Sequence, residues 1–157
     1  MTEAAATTLV PVTGAGEDNN TYVTFLVGGQ RFGVPVFRVQ DILAPERISP
    51  VPLAPAAVKG SINLRGRIVT VVDVRTRLGL AEREEGATAM GVTVEQHSEL
   101  YTLLVDRIGD IVDLPASHYE ERPSTLEPSM RETTTGVYRL DDGLVVVLDI
   151  DRLLDLN

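Results

Sequence analysis

Acid–base catalysis needs carboxylates or imidazoles gathered in a cleft that shifts their pKa values. The acidic residues of this 157-residue chain are spaced for other work. Asp141-Asp142 precedes Gly143, and aspartates in that setting make turns. Asp73 and Asp149 each close an apolar run, where a carboxylate caps a following helical turn. His97 and His118 are isolated and have no HxH or HxxxH partner, so both read as surface residues rather than metal ligands. The absence of cysteine removes disulfides, thiolate catalysis and zinc–thiolate clusters together. Gly28-Gly29 and the stretch Gly60 to Gly66 form neither a GxxxxGK[ST] loop nor a GxGxxG turn, and no serine sits in a GxSxG elbow. No catalytic residue, cofactor site or metal site is expected.

Charge narrows the partners. The net charge is −9, with one lysine and thirteen scattered arginines. Nucleic-acid binding rests on clustered basic residues that release counterions from phosphates, so neither nucleic acid nor an anionic membrane suits this surface. A barrel that stacks oligonucleotides or small ligands would need aromatics on a basic face, and aromatics are 4% of the chain. The first twenty residues carry no basic-then-apolar leader pattern, and no run approaches the ~18 apolar residues of a membrane span. A soluble, cytoplasmic protein that binds other proteins is the expectation.

The elements that would position a binding surface are mostly strands. Residues 1–20 are rich in Ala, Thr, Gly and acidic residues and read as a flexible tail before a domain at 21–157. Tyr22–Val27 and Gln30–Val36 flank Gly28-Gly29 as a hairpin. Val36, Val39 and Leu43 then fall at helical spacing, which predicts a short helix bounded by Pro45. Pro50, Pro52 and Pro55 force an extended connection. Ser61–Leu64 and Ile68–Val74 are strands about the turn Arg65-Gly66-Arg67, with a helical turn over Arg75–Leu80. After a charged loop at 81–89 the pattern restarts with strands at 91–96, 100–106 and 111–114. The chain ends with strands at 136–140 and 144–150 and a helical turn that returns to the core.

The restart is a duplication. Phe32-Gly-Val-Pro-Val36-Phe-Arg38-Val-Gln-Asp41-Ile-Leu43 lies on Tyr101-Thr-Leu-Leu-Val105-Asp-Arg107-Ile-Gly-Asp110-Ile-Val112 at an offset of 69. Val69-Thr-Val-Val-Asp73-Val-Arg-Thr-Arg-Leu78-Gly-Leu80 lies on Val145-Val-Val-Leu-Asp149-Ile-Asp-Arg-Leu-Leu154-Asp-Leu156 at an offset of 76. Two segments matching in the same order predict two related β subdomains, at about 22–80 and 90–150. Each would have four or five short strands, the size of a small barrel. Halves this short bury little alone, so they should pack on each other along an apolar seam.

The run Val58-Lys59-Gly60-Ser61-Ile62-Asn63-Leu64-Arg65-Gly66-Arg67-Ile68-Val69-Thr70-Val71-Val72-Asp73 resembles the central signature of the CheW family of bacterial chemotaxis coupling proteins. The hairpin at Phe32-Gly-Val with Val39-Gln-Asp41-Ile, and the close from Gly136 to Ile150, resemble the family's two ends. The resemblance implies an all-β fold of two packed five-stranded β-barrels with short helices. It implies a scaffold role: coupling the cytoplasmic tip of chemoreceptors to the regulatory domain of a CheA-type histidine kinase, with recruitment to receptor arrays through protein contacts. It places Val39, Asp41, Gly60, Asn63 and Arg65 on the receptor-facing surface. The family often has Glu where this chain has Asp41, and the shorter side chain puts an ion pair to Arg65 in question. An adaptor of another sensory array fits the same pattern.

Overall fold

The computed structural model describes residues 20–45, 47–121, 126 and 128–156. The tail expected over 1–20 lies, but for Asn20, outside the described residues. Among the described residues eleven strands carry the fold: β1 (Thr21–Val27), β2 (Gln30–Pro35), β3 (Val39–Leu43), β4 (Val58–Leu64), β5 (Arg67–Asp73), β6 (Met90–Gln96), β7 (Glu99–Val105), β8 (Arg107–Asp113), β9 (Tyr119–Glu120), β10 (Thr134–Leu140) and β11 (Gly143–Leu148). Three four-residue helices join them: α1 (Val74–Arg77), α2 (Pro128–Arg131) and α3 (Ile150–Leu153).

The strands form two sheets, ordered β8-β1-β2-β11-β10-β9 and β3-β6-β7-β5-β4. Neither closes into a barrel by strand pairing, which corrects the expected pair of five-stranded barrels. Another segment meets the outer edge of β4. Ser49 exchanges two backbone hydrogen bonds with Ser61 there, at 2.9 and 2.8 Å, using groups that a closing strand would need. In the six-stranded sheet β9 occupies the same edge of β10.

The duplication extends to the register of every strand pair it covers. Val39 opposes Val94 and Ile42 opposes Val92; their equivalents Ile108 and Ile111 oppose Phe25 and Val23. Val58–Val72 and Gly60–Val71 are matched by Thr134–Leu148 and Gly136–Val147, with the same bulge between. The parallel pair Thr70–Tyr101 is matched by Val146–Phe32. Those parallel pairs join strands from different halves, so the sheets do not follow the boundaries 22–80 and 90–150. One sheet is β3 to β7; the other holds β1 and β2 with β8 to β11. The chain crosses between sheets at two equivalent places. A 3₁₀ turn at Val36–Arg38 sends it from β2 to β3, and the single residue Asp106 carries it from β7 to β8.

Alternating side chains divide the core into three. Val23, Phe25, Val27, Phe32 and Val34 of one sheet meet Val72, Val92, Val94, Leu103 and Val105 of the other in the apolar seam. Tyr22, Tyr138, Val145, Val147 and Leu114 fill the curl of the six-stranded sheet. Ile62, Val69, Val71 and Leu104 fill that of the five-stranded sheet. Burial, reinforced by the 3.3 Å contact to the Tyr138 hydroxyl, pushes the Tyr22 phenol far above its ordinary pKa.

Asp73 and Asp149 cap α1 and α3, accepting from the backbone N–H of Arg75 at 3.0 Å and of Arg152 at 3.2 Å. Ile150 and Leu153 carry α3 back into the seam. Arg77 fastens the two equivalent turns together: its guanidinium donates to the carbonyls of Leu153 and Arg152, both at 2.8 Å, and of Asp155 at 3.1 Å. They lie at the end of α3, where the Arg152 carbonyl also accepts from the Asp155 N–H at 3.2 Å.

Candidate functional site

The β4–β5 hairpin turns on two residues. Leu64 faces Arg67, and Arg65 (φ 52°) and Gly66 (φ 86°) both take positive φ, the geometry that suits the twist of a tight hairpin. The Asn63 side chain fixes it, its Oδ1 accepting from the Gly66 N–H at 2.9 Å. The turn lifts the Arg65 guanidinium into solvent, where 76% of its side-chain surface is exposed.

From there Arg65 reaches Asp41 at 2.8 Å. The shorter side chain of Asp41 does not prevent the ion pair. Asp41 is on β3 and Arg65 follows β4, the two edges of the five-stranded sheet, so the contact spans the mouth of its curl. Asp41 Oδ1 also accepts from the Ile42 N–H at 2.9 Å. The result is a preorganised, exposed guanidinium fork, held by a mostly buried carboxylate and still able to meet a carboxylate or carbonyl of a partner.

The other two predicted residues are placed differently. Val39 lies on β3, not on a helix: only Val36–Arg38 is helical, as one 3₁₀ turn. Over Val39 to Leu43 the side chains alternate between half-buried and exposed, a period of two that the shared apolar positions 36, 39 and 43 disguised. Val39 packs against the seam. Gly60 is buried, with φ 147°, and a Cβ there would stand 2.2 Å from the Ser49 carbonyl oxygen. Its place is to let the proline-rich connection lie against β4. Asn63, Arg65 and Asp41 are therefore brought together, Val39 adjoins them, and Gly60 shapes the ground beneath.

A charged network that sequence reasoning missed surrounds the second crossing. Asp106 accepts from Arg75 Nε at 3.0 Å and Nη2 at 2.8 Å, from Arg83 Nε at 2.9 Å and from the Gly28 N–H at 2.8 Å. Arg83 also reaches the Asp73 carboxylate at 3.2 and 3.3 Å. The Arg75 hydrogen bonds, with those from Gly28 and Arg83, hold the Asp106 carboxyl well below the usual carboxylate range against the opposing cost of burial. The network ties the β1–β2 turn to α1 and to the loop after it. The first crossing is tied more lightly. Arg38 donates to the Glu95 carbonyl at 3.2 Å and to Asp151 at 3.1 Å, and Gln96 donates to Asp151 at 3.3 Å. Arg38, then Gln96, lowers the Asp151 pKa.

A family model for the CheW-like domain matches residues 21–157. The chain belongs to the CheW-like family. It is 30% identical over 131 residues to the chemotaxis protein CheW of Rhizobium meliloti (strain 1021), covering 83% of this chain and 84% of that protein. It is 23% identical over 141 residues to the chemotaxis protein CheW of Helicobacter pylori (strain ATCC 700392 / 26695), covering 88% and 85%. The crystal structure of the scaffolding protein TtCheW from Thermoanaerobacter tengcongensis superposes with a TM-score of 0.79 at 23% identity, covering 88% of this chain and 94% of that one, and so shares the fold. The hairpin that resembled the CheW signature is thus the β4–β5 turn that carries Asn63 and Arg65. Among the described residues no helix is long and apolar enough to cross a membrane.

Proposed function

We propose that this CheW-family chain is a non-catalytic scaffold of chemotaxis signalling that couples the cytoplasmic tip of methyl-accepting chemoreceptors to the regulatory domain of a CheA-type histidine kinase. The receptor-facing surface is the mouth of the five-stranded sheet, with Arg65 and Asp41 at its centre and Asn63 and Val39 beside them. The protein works in the cytoplasm and joins membrane receptor arrays through protein contacts. The observation that carries this reading is the exposed Arg65 fork, fixed by a type of turn and by a 2.8 Å ion pair in a protein of the CheW-like family. An exposed arginine preorganised in this way loses little conformational freedom on meeting a partner.

Mixing the purified chain with a receptor cytoplasmic fragment and a CheA-type kinase at tens of micromolar tests the proposal. A ternary complex that forms only when this chain is present supports it. Absence of any ternary association at that concentration overturns it.

A further inference from the structure

The duplication leaves open a choice that the strands alone do not make. The hairpin β4–β5 with α1 and the hairpin β10–β11 with α3 are equivalent units, related by the offset of 76. One lies beside β7, with Thr70 opposite Tyr101, and the other beside β2, with Val146 opposite Phe32. These positions are themselves equivalents with matched alternation, so either unit would meet either acceptor strand in register. The connections over 44–57 and 114–133 are long enough to carry each unit to the other sheet. The loop at 81–89 is no bar, since at ~3.3 Å per residue it outspans β6, which separates the two crossings.

Residues that differ between the units make the choice. α1 and α3 each follow a capping aspartate, and two residues beyond that cap stand Arg75 and Asp151. Each reaches a crossing. Arg75 meets Asp106 and Asp151 meets Arg38, so the two junctions are ion pairs of opposite polarity. Exchanged units would set Arg75, with Arg83 behind it, against Arg38, and Asp151 against Asp106. The second is the heavier fault, because two carboxylates would meet at a mostly buried junction whose guanidiniums had left. The mouths of the sheets do not discriminate, since Asp41 and its equivalent Asp110 are both acidic.

We infer that the opposed polarity of the two junctions is a pairing code. It directs β4–β5–α1 to the Asp106 crossing and β10–β11–α3 to the Arg38 crossing, and it excludes the exchanged arrangement. A symmetric pattern specifies one structure only when something breaks the symmetry, and like charges set against each other in the wrong arrangement do so. The code concerns how the chain chooses its fold and is independent of the coupling function.

The test reverses the exposed junction alone, with Arg38→Asp and Asp151→Arg in one chain. The native arrangement then keeps an ion pair at each crossing, but both crossings are acidic and both helices basic, so the exchanged arrangement is paired as well. Arg38→Lys with Asp151→Glu preserves the polarity and is the control. Each full-length protein is unfolded in urea and refolded. NMR then reads backbone proton contacts from Thr70 to Tyr101, the native neighbour, or to Phe32, the neighbour after exchange. Wild type and the control should show Thr70–Tyr101 contacts alone. The reversed variant should show a second set of resonances with Thr70–Phe32 contacts, in about a tenth of the chains or more. Thr70–Tyr101 contacts alone in the reversed variant overturn the code. Exchange in the control overturns it too, because polarity is intact there. So does failure of the reversed variant to fold, because no charge at either crossing loses its partner.

Discussion

The crossings at Asp106 and at Phe37–Arg38 are one structural position used twice. At Asp106 the chain is gripped by two guanidiniums and a backbone N–H, with the Arg75 and Arg83 side chains 20% and 11% exposed. At Arg38 it is gripped by the Glu95 carbonyl and by one exposed carboxylate, Asp151, whose side chain is 62% open. Charge-assisted bonds among mostly buried groups are costly to break, whereas an exposed pair contributes little. One crossing therefore fixes the fold, and the other is left free to carry a surface.

Removing the stronger grip should have the largest effect. Asp106→Ala strands Arg75 and Arg83 without their carboxylate and should cost roughly 3 kcal/mol of stability, read as a lower midpoint in urea unfolding. The same carboxyl sets an acid dependence. Its folded pKa is depressed below the unfolded value of about 3.9, so its contribution is complete above that pH and fades as pH falls toward the folded pKa. Wild type should lose stability progressively below about pH 4, and Asp106→Ala should show a shallower loss over the same range. Equal slopes in the two proteins would remove Asp106 as the cause.

Next in size is a change that spares the fold. Arg65→Glu places two carboxylates at the mouth of the five-stranded sheet, yet the turn buries little, so the unfolding midpoint should hold while receptor binding weakens by about tenfold or more. A variant that unfolds instead would make Arg65 a structural residue.

Smallest is the light grip. Asp151→Asn should move stability by no more than about 0.5 kcal/mol. A loss as large as that of Asp106→Ala would erase the contrast between the crossings.

Much of this was legible in the residues. The offsets of 69 and 76 anticipate the register of the sheets, because residues of matched type obey matched alternation. Asp73 and Asp149 were legible as caps because a carboxylate before a short helical turn has few other uses. What could not be read was which half a strand would join. β2 and β11 pair in parallel across more than a hundred residues, and no local pattern encodes that choice. Val39 was misread because three apolar residues satisfy a helical and a strand spacing at once, and tertiary pairing with β6 decided between them. The Asp106 network was hidden because Asp106 is far in sequence from Gly28, Arg75 and Arg83. Its one trace was the pairing of Phe37 with Asp106, an apolar residue against a charged one, in the duplicated segment.

The coupling function is tested most directly by kinase output. Receptor-containing membranes and a CheA-type kinase are assayed for autophosphorylation with and without this chain, then with Arg65→Glu. Stimulation that requires receptor and chain together, and falls with Arg65→Glu, is the predicted result. Kinase activity indifferent to the chain in the presence of receptor would contradict the account.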